Sequence, residues 1–243
     1  MRRHHLLSVS GFILAFSLAV PAFAAKIAVD TTSRLFPATA YLIGSYDGQG
    51  RPDACVIDRA GIAETPSGGM IFYLGILPSH QTAKNIEETR AFSVNVPHAA
   101  ILPKADYCGT VSAMRDGEYF DKFAATGLKY EKGSDVNAPI LTDCPVILEC
   151  KVIQTRDLTD GQHKVFFGEV VRYHVDSAAL DGDKSKPVGQ YNPVRGGTLA
   201  YFAGSAERSG HYSLSVPMGQ RGKIWQQKFP MPNGLEAQPK GKH

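Results

Sequence analysis

Two long strand patterns in the second half of the chain constrain the fold more than any other feature. Residues 146–156 and 164–175 are rich in β-branched and aromatic side chains, and an Asp-Gly pair at 160–161 joins them. The second segment alternates with a period of two, which predicts a strand with one buried face. Its alternating set is Val165, Phe167, Glu169, Val171 and Tyr173. Such a hairpin needs further strands beside it, so the chain is predicted to be mainly β.

Shorter strand patterns, each bounded by turn residues, precede this hairpin. They occupy residues 39–46, 53–62, 70–74 and 91–96, and a last strand is expected at 198–203. Residues 47–50, Asp-Gly-Gln-Gly, are typical of a hairpin turn between the first two strands. The sum predicts one antiparallel β-barrel with a few helices on its outside.

The helical patterns are short and lie between the strands. Residues 81–90 are predicted to form a helix capped by Ser79 or Thr82. Between residues 99 and 133 the pattern changes to short helical pieces. One is expected to start near Pro103 and another to cover residues 118–126.

The first 24 residues have the pattern of a secretory signal peptide. A basic start and a short apolar run precede an Ala-x-Ala site, which predicts cleavage after Ala24. The run is shorter than the ~20 residues of a membrane span. We therefore expect export to the periplasm or beyond, by the general secretory route or by the twin-arginine route that Arg2-Arg3 suggests. Residues 25–229 are then one domain that needs no membrane, and residues 230–243 form a loose tail.

Several classes of function lack their motifs in this chain. A formal net charge of +3 does not indicate a nucleic-acid partner. His-x-x-x-His and Cys-x-x-Cys pairs are missing, so no metal site is predicted. The Gly-x-Ser-x-Gly elbow of many hydrolases and the Gly-x-Gly-x-x-Gly loop of dinucleotide-binding folds are missing too.

The four cysteines leave two interpretations open. An even number in an exported chain favours disulfides, whereas buried free thiols are the simpler alternative. Cys144 and Cys150 flank one extended segment, which separates them by up to about 20 Å. A disulfide needs Cα atoms within about 7 Å, so we predict that these two are not bridged.

Residues 78–85 form the segment with the clearest chemistry. A strand ends there, and Ser79, Thr82 and Lys84 stand in the first turns of the predicted helix. The free N–H groups at a helix start attract anions, and hydroxyls and an ammonium group add donors. The segment therefore suggests a site for a phosphate monoester, although most hydroxyl residues at helix starts serve only as caps.

The order of the motifs along the chain resembles that of one known family. The motifs lie at residues 50–54, 60–62, 79–85, 91–95, 106–112, 121–128, 138–139, 144–150 and 167–171. The ordered set is similar to that of the flavin reductase-like family, most closely its flavoredoxin-type members. The resemblance extends from about residue 38 to residue 201.

The resemblance implies a split β-barrel that binds FMN, usually as a homodimer with the flavin near the subunit interface. It implies that the FMN phosphate lies on the turn at residues 79–82 and that the ring lies along residues 53–58. The implied cofactor-binding residues are Asp53, Ala54, Cys55, Val56, Ile57, Asp58, Ser79, His80, Gln81, Thr82, Lys84, Asn95, Cys108 and Lys122. Asp53, Val56 and His80 depart from the family's usual Asn, Thr and Arg.

Two functions follow from this resemblance. The first is an exported FMN-dependent oxidoreductase that transfers hydride or electrons, with NAD(P)H or a protein as its redox partner. The bound flavin would supply the chemistry, so no acid–base side chain is required. The second is a non-catalytic split barrel that binds FMN or another planar ligand. The colour of the purified protein distinguishes the two.

Overall fold

The structure of the protein is a computed structural model, which describes residues 37–97, 99–158, 162–182 and 200–202, together with residue 28. The expected signal peptide and C-terminal tail lie outside these residues. Every helix and strand below belongs to one unit of the chain, Ser33–His243.

The described residues form thirteen strands and three α-helices. The strands are β1 (Pro37–Thr39), β2 (Tyr41–Tyr46), β3 (Pro52–Ile57), β4 (Ala60–Glu64), β5 (Met70–Ile76), β6 (Ala91–Val96), β7 (Met114–Arg115), β8 (Glu118–Tyr119), β9 (Glu131–Lys132), β10 (Pro139–Ile140), β11 (Val146–Asp157), β12 (Lys164–Val175) and β13 (Ala200–Phe202). The helices are α1 (Gln81–Thr89), α2 (Leu102–Thr110) and α3 (Lys122–Thr126).

The main sheet has seven antiparallel strands in the order β3-β2-β6-β11-β12-β5-β4. Its two edge strands follow each other in the chain, separated only by Asp58 and Arg59. The sheet must therefore curl until its opposite edges meet at this link, where the Arg59 carbonyl accepts a 2.7 Å hydrogen bond from the N–H of Gly75. β3 and β4 are not hydrogen-bonded neighbours, so the barrel is split there, as predicted. The single strand predicted for residues 53–62 is wrong, because the chain crosses the split in its middle.

The long hairpin of β11 and β12 forms as predicted, with two register shifts along it. The side chain that enters the barrel core from β12 is Phe166, which is fully buried. Gly168 follows on the same face, and a Cβ there would lie 2.5 Å from the ring of Phe92. Val165, Phe167 and Glu169 thus lie on the outer face, whereas the register shift at Val171 places Tyr173 opposite Leu148, on the face of the core. The period-two pattern predicted the strand correctly but not its buried face, because apolar residues occupy both faces.

The first two helices agree with the sequence patterns to within one residue. α1 ends at Thr89, and its C-cap residue Arg90 adopts a left-handed φ of 56°. The predicted helix at 118–126 is wrong in its first half, because β8 pairs with β7 there. α3 begins only at Lys122, where the carboxylate of Asp121 accepts the N–H groups of Phe123 and Ala124 at 2.9 Å.

Two apolar clusters lie on opposite faces of the sheet around β2 and β3. One fills the barrel and includes Phe72, Phe92 and Phe166. The other packs Ala105 of α2 and Phe123 of α3 against the outside of the sheet. The two helices therefore lie beside β3, whose free edge becomes one wall of a cavity.

The four cysteines are free thiols and all are buried. Cys144 and Cys150 are not bridged, as their spacing predicts, and Cys150 lies within β11 opposite Phe92 of β6. No helix in the described ranges is long and apolar enough to cross a membrane.

Candidate functional site

A cavity of about 220 Å³ lies where the edge of β3 meets the turn before α1, the end of α2 and the start of α3. Most of its walls are polar. It is lined by Asp53, Cys55, Ser79, His80, Gln81, Thr82, Cys108, Gly109, Thr110, Val111, Ser112, Ala113 and Lys122.

A buried ion pair stands in the wall of this cavity. Lys122 Nζ lies 2.7 Å from Asp53 Oδ1, and both side chains are almost completely buried. The hydroxyl of Thr82 donates a 2.6 Å hydrogen bond to the other oxygen, Asp53 Oδ2. Oδ1 is closed to solvent, and its close partner is the ammonium group of Lys122.

Lys122 also fixes the backbone around the cavity. Its ammonium group donates to the carbonyl of Ala54 at 2.8 Å and to that of Cys108 at 3.1 Å. It thereby ties α3 to β3 and to α2. Burial alone would lower the pKa of Lys122, but the charge of Asp53, the neighbouring Cys55 and Cys108 and the hydrogen bond to Asp53 together outweigh it, and the pKa is raised. The ammonium therefore stays charged at neutral pH.

The turn before α1 presents backbone donors rather than a side-chain cap. His80 is the N-cap residue in an extended conformation, and its side chain makes no capping hydrogen bond. The predicted caps are wrong: Ser79 lies one residue earlier, and the hydroxyl of Thr82 is used by Asp53. The first N–H groups of a helix have no carbonyl acceptor within it, so this end of α1 attracts anions.

The titratable side chains of the cavity other than the ion pair are uncharged at neutral pH. Burial, and then the charge of Lys122, lower the pKa of His80, so its imidazole is neutral. Burial raises the pKa of the Cys55 thiol to about 11 and that of Cys108 to about 12. His80 Nδ1 lies 4.0 Å from Cys55 Sγ. Neutral thiols are poor nucleophiles, so this pair does not resemble an activated cysteine.

The structure brings eight of the fourteen residues assigned by resemblance to the walls of one cavity. They are Asp53, Cys55, Ser79, His80, Gln81, Thr82, Cys108 and Lys122. Ala54 and Val56 point to the opposite face of β3, toward α2, and Ile57 points into the barrel core. Asp58 lies in the link between β3 and β4.

Lys84 and Asn95 also lie outside the cavity wall. Lys84 is on α1 and its side chain is exposed. Asn95 is fully buried in β6, where its amide donates to Leu42 O at 2.9 Å and accepts from Leu141 N at 2.8 Å. These bonds give Asn95 a structural task within the sheet.

The segment at residues 109–113 lines the cavity and was not assigned by the sequence. Gly109 passes so close to β3 that a Cβ there would lie 3.0 Å from Val56 Cβ. The hydroxyl of Thr110 donates to Tyr107 O at 2.9 Å, and that of Ser112 donates to Met114 O at 2.7 Å. The Gly-Thr-Val-Ser run was the available signal, since small and hydroxyl residues after a helix are typical of a ligand-facing loop. In the part of the chain that the structure describes, no group of three or more His, Cys, Asp or Glu side chains could hold a metal ion.

Comparison with known proteins identifies related domains and folds. A family model described as "Flavin reductase like domain" matches residues 33–209. The flavoredoxin of Desulfovibrio vulgaris (Miyazaki F) is 25% identical and has a TM-score of 0.64, with coverage of 80% of this chain and 96% of that one. The flavoredoxin of Methanosarcina acetivorans is 22% identical with a TM-score of 0.65, covering 79% and 93%. An FMN-binding protein from Thermus thermophilus is 18% identical with a TM-score of 0.57, covering 81% and 98%.

Proposed function

Because the chain belongs to the flavin reductase-like family, we propose that it is a flavoprotein that binds FMN at the cavity beside β3. When bound, FMN supplies the capacity to accept and release electrons or hydride. The protein supplies position, electrostatics and control of access. The observation that carries the proposal is a polar cavity at the start of α1, within a domain of this family and a fold shared with flavoredoxins and an FMN-binding protein.

The residues present fit this cofactor. The first N–H groups of α1 and the hydroxyl of Ser79 are donors suited to a phosphate group. The buried ion pair of Asp53 and Lys122 adds no net charge, so it leaves the positive end of the helix unopposed. The thiols stay protonated because their pKa values are raised, and so they do not compete as nucleophiles for an electrophilic ring.

Flavin binding and turnover are tested in two steps. The purified full-length chain is expected to carry, or to take up, FMN with the visible spectrum of a bound flavin. Anaerobic addition of NADH or NADPH, or of a reduced electron-transfer protein, should then bleach that spectrum. Bound FMN that no donor reduces would favour the non-catalytic alternative. A protein that stays colourless in excess FMN would contradict the proposal.

We also propose that the protein is exported, because its first 24 residues have the pattern of a signal peptide. N-terminal sequencing of the protein from the exported fraction should begin at Ala25. A chain that retains Met1 and stays in the cytoplasm would contradict this.

We further propose that the protein is a homodimer, with the outer face of β5 and β12 in the interface. Tyr73 of β5 and Phe167 of β12 pack against each other on this face at a ring-centroid distance of 6.0 Å. Tyr73 remains 37% exposed there. Aromatic side chains gathered on one open sheet face are typical of an interface.

The mass in solution tests the assembly. Light scattering should give twice the subunit mass, and Phe167→Glu should give the single-subunit mass. Tyr130→Glu is the matched control, because Tyr130 is exposed to a similar extent but packs against Phe123, away from this face. A wild-type monomer at micromolar concentration with FMN present would contradict the proposal.

A further inference from the structure

We propose that residues 112–120, which we call the strap, form a gate on the cavity beside β3, and that Arg51 is the positioning residue that holds this gate closed. The strap contains the hairpin of β7 and β8. The proposal rests on the proposed function in one respect, because FMN is the ligand taken to enter. It goes beyond that function by stating how a ligand reaches the cavity and which side chain controls its entry.

The first observation is that the strap forms part of the cavity wall without belonging to the main sheet. Ser112 and Ala113 line the cavity. Among the described residues, β7 and β8 pair with each other and with no strand of the main sheet. The N–H of Phe120 donates to Ala113 O at 2.8 Å, which extends this hairpin as far as the cavity wall. A movement of the hairpin therefore moves the wall.

The second observation is that both ends of the strap are firmly fixed. α2 ends just before it, with Val111 as the C-cap residue, and α3 begins just after it, with Asp121 as the N-cap residue. Lys122 donates to Cys108 O of α2 and forms the buried ion pair with Asp53 of β3, so one ammonium group fixes both ends. Breaking a buried ion pair is costly, and residues at the ends of helices are common hinges. The strap can therefore move only between its ends.

The third observation is that the middle of the strap is held by weaker contacts. The guanidinium carbon of Arg51 lies 4.8 Å from the centroid of the Tyr119 ring, and Arg51 Nη2 donates to Met114 Sδ at 3.5 Å. The hydroxyl of Tyr119 donates to Pro52 O at 2.7 Å. Among the described residues, the hydrogen bonds that leave the strap all reach Arg51 or Pro52. A thioether is a weak acceptor and an exposed cation–π contact is modest, so the strap opens more easily here than at its ends.

The fourth observation is that the turn between β2 and β3 orients Arg51. Arg51 Nε lies 2.7 Å from Asp47 Oδ2, and Asp47 Oδ1 accepts the N–H groups of Gln49 and Arg51 at 2.9 Å. Burial alone would raise the pKa of Asp47, but the hydrogen bonds from Arg51 and Gln49 and the charge of Arg51 lower it, so the carboxylate is charged at neutral pH. Because Arg51 does not line the cavity, replacing it releases the strap without removing a group from the cavity wall.

The volume of the cavity is the reason for a gate. At about 220 Å³ it is smaller than the roughly 300–1,000 Å³ typical of sites that enclose a drug-sized ligand. β3, α2 and α3 cannot separate without breaking the buried contacts of Lys122. The strap is thus the wall that can move outward at the lowest cost in free energy.

Stopped-flow fluorescence of FMN mixed with the full-length protein tests the gate. Arg51→Met should raise the association and dissociation rate constants by the same factor, about threefold to tenfold, and leave Kd unchanged within about twofold. A gate that opens more often speeds both directions, whereas a lost binding contact speeds mainly dissociation. Arg172→Met is the matched control, because Arg172 is also ion-paired but does not line the cavity, and it should retain the wild-type rates. An unchanged association rate constant in Arg51→Met would overturn the proposal.

The thiols test the gate without a ligand. Cys55 and Cys108 line the cavity, whereas Cys144 and Cys150 are buried and do not. Methyl methanethiosulfonate should label Cys55 and Cys108 about threefold to tenfold faster in Arg51→Met than in the wild type, as mass spectrometry of peptides would measure. Cys144 and Cys150 should keep their wild-type rates. Unchanged labelling of Cys55 and Cys108 would show that Arg51 does not close the cavity.

Tyr119→Phe is a second variant, for the case that all four thiols react faster in Arg51→Met because the whole fold is weakened. It removes the hydrogen bond to Pro52 O and keeps the ring against Arg51. The two cavity thiols should then react about twofold to fivefold faster, since only a neutral hydrogen bond is lost. A selective increase in this variant supports the gate, and its absence overturns the proposal.

Failure of this proposal and failure of the proposed function give different results. If the two cavity thiols are labelled selectively in Arg51→Met but neither protein binds FMN, the gate is supported and the flavoprotein assignment is wrong. If FMN binds to Arg51→Met with the wild-type rate constants and labelling does not change, the protein binds flavin and the strap is not its gate.

Discussion

Asp53 and Glu149 are both fully buried carboxylates on strands of the same sheet, yet their surroundings differ. Glu149 accepts three backbone N–H groups, from residues 134–136, at 2.7–3.1 Å, and its Oε1 lies 2.7 Å from His174 Nε2. Asp53 receives one hydroxyl hydrogen bond and one ion pair. The first carboxylate is held mainly by backbone N–H groups, whereas the second is held by the side chains of Thr82 and Lys122.

The difference separates a carboxylate that fixes a loop from one that stands in the wall of the candidate site. Glu149 fixes the loop after β9, where Gly133 passes so close that a Cβ would lie 2.8 Å from Glu149 Oε2. Glu149 does not line the cavity beside β3. Asp53 stands in a cavity wall instead. Burial alone therefore does not distinguish the two carboxylates; their partners and their positions do.

Breaking the ion pair of Asp53 should give the largest effect. Lys122→Met leaves a buried carboxylate without its counter-charge, which should lower the free energy of unfolding by about 3–5 kcal/mol. Urea denaturation followed by circular dichroism measures this. The double variant Asp53→Asn/Lys122→Met should recover most of the loss, because it removes both charges. If the double variant is no more stable than Lys122→Met, the contribution of Lys122 to stability does not come from its ion pair with Asp53.

Removing the charge of Glu149 should give the next largest effect. Glu149→Gln replaces an acceptor oxygen by an amide that faces backbone N–H groups, and should cost about 2–3 kcal/mol of unfolding free energy. Its affinity for FMN, measured by fluorescence quenching, should stay unchanged. A variant of normal stability with weakened FMN binding would reverse the roles that we assign to the two carboxylates.

The pH dependence of stability should come from the saturated carboxylate. Burial alone would raise the pKa of Glu149, but the hydrogen bonds from His174 and from residues 134–136 lower it. A lowered carboxyl pKa contributes stability above the unfolded value of about 4.3, and this stability is lost as the pH falls through the folded pKa. The stability gap between wild type and Glu149→Gln should therefore narrow below about pH 4. A stability difference between wild type and Glu149→Gln that widens below about pH 4 would contradict the lowered pKa of Glu149.

The smallest effect is expected from replacing Lys84, a cation away from both Asp53 and Glu149. Lys84 is exposed on α1 and does not line the cavity, so solvent screens its charge. Lys84→Ala should weaken FMN at most about fivefold, and riboflavin, which lacks the phosphate, should be unaffected. Titration of both flavins measures this. A loss of tenfold or more for FMN alone would place Lys84 at the phosphate, as its sequence position suggests.

The sequence predicted the local features of this molecule better than the pairings between distant segments. The strands β6, β11 and β12 and the helix α1 follow from patterns of neighbouring residues. The sequence pattern did not show that α3 begins only at Lys122. Asp121 caps this helix, but the residues just before it pair with β7, and the pattern at 118–126 did not separate the two. The outward face of Phe167 was not predictable, because Phe166 is equally apolar and only packing against Phe92 decides between them.

The candidate site shows the same limit. The turn at residues 79–82 was found from its own residue types, and motif order suggested Asp53 and Lys122 separately. Their ion pair joins segments far apart in the chain, which no local pattern encodes. The hydroxyl of Thr82 could equally have capped α1, and only the nearby carboxylate in the folded chain determines its partner.

The short link at Asp58 and Arg59 has a consequence for the order in which the barrel folds. The central strands β6 and β11 pair across a long stretch of chain, so they form only after a costly loop closure. β3 and β4 each have a single paired neighbour and meet only when the whole sheet has curled. Since β3 carries Asp53 and is an edge strand, we expect this wall of the cavity to open before the centre of the sheet on local unfolding. A ligand that occupies the cavity should therefore stabilise this edge of the barrel. The backbone amides of β3 should then gain the most protection from hydrogen exchange with solvent.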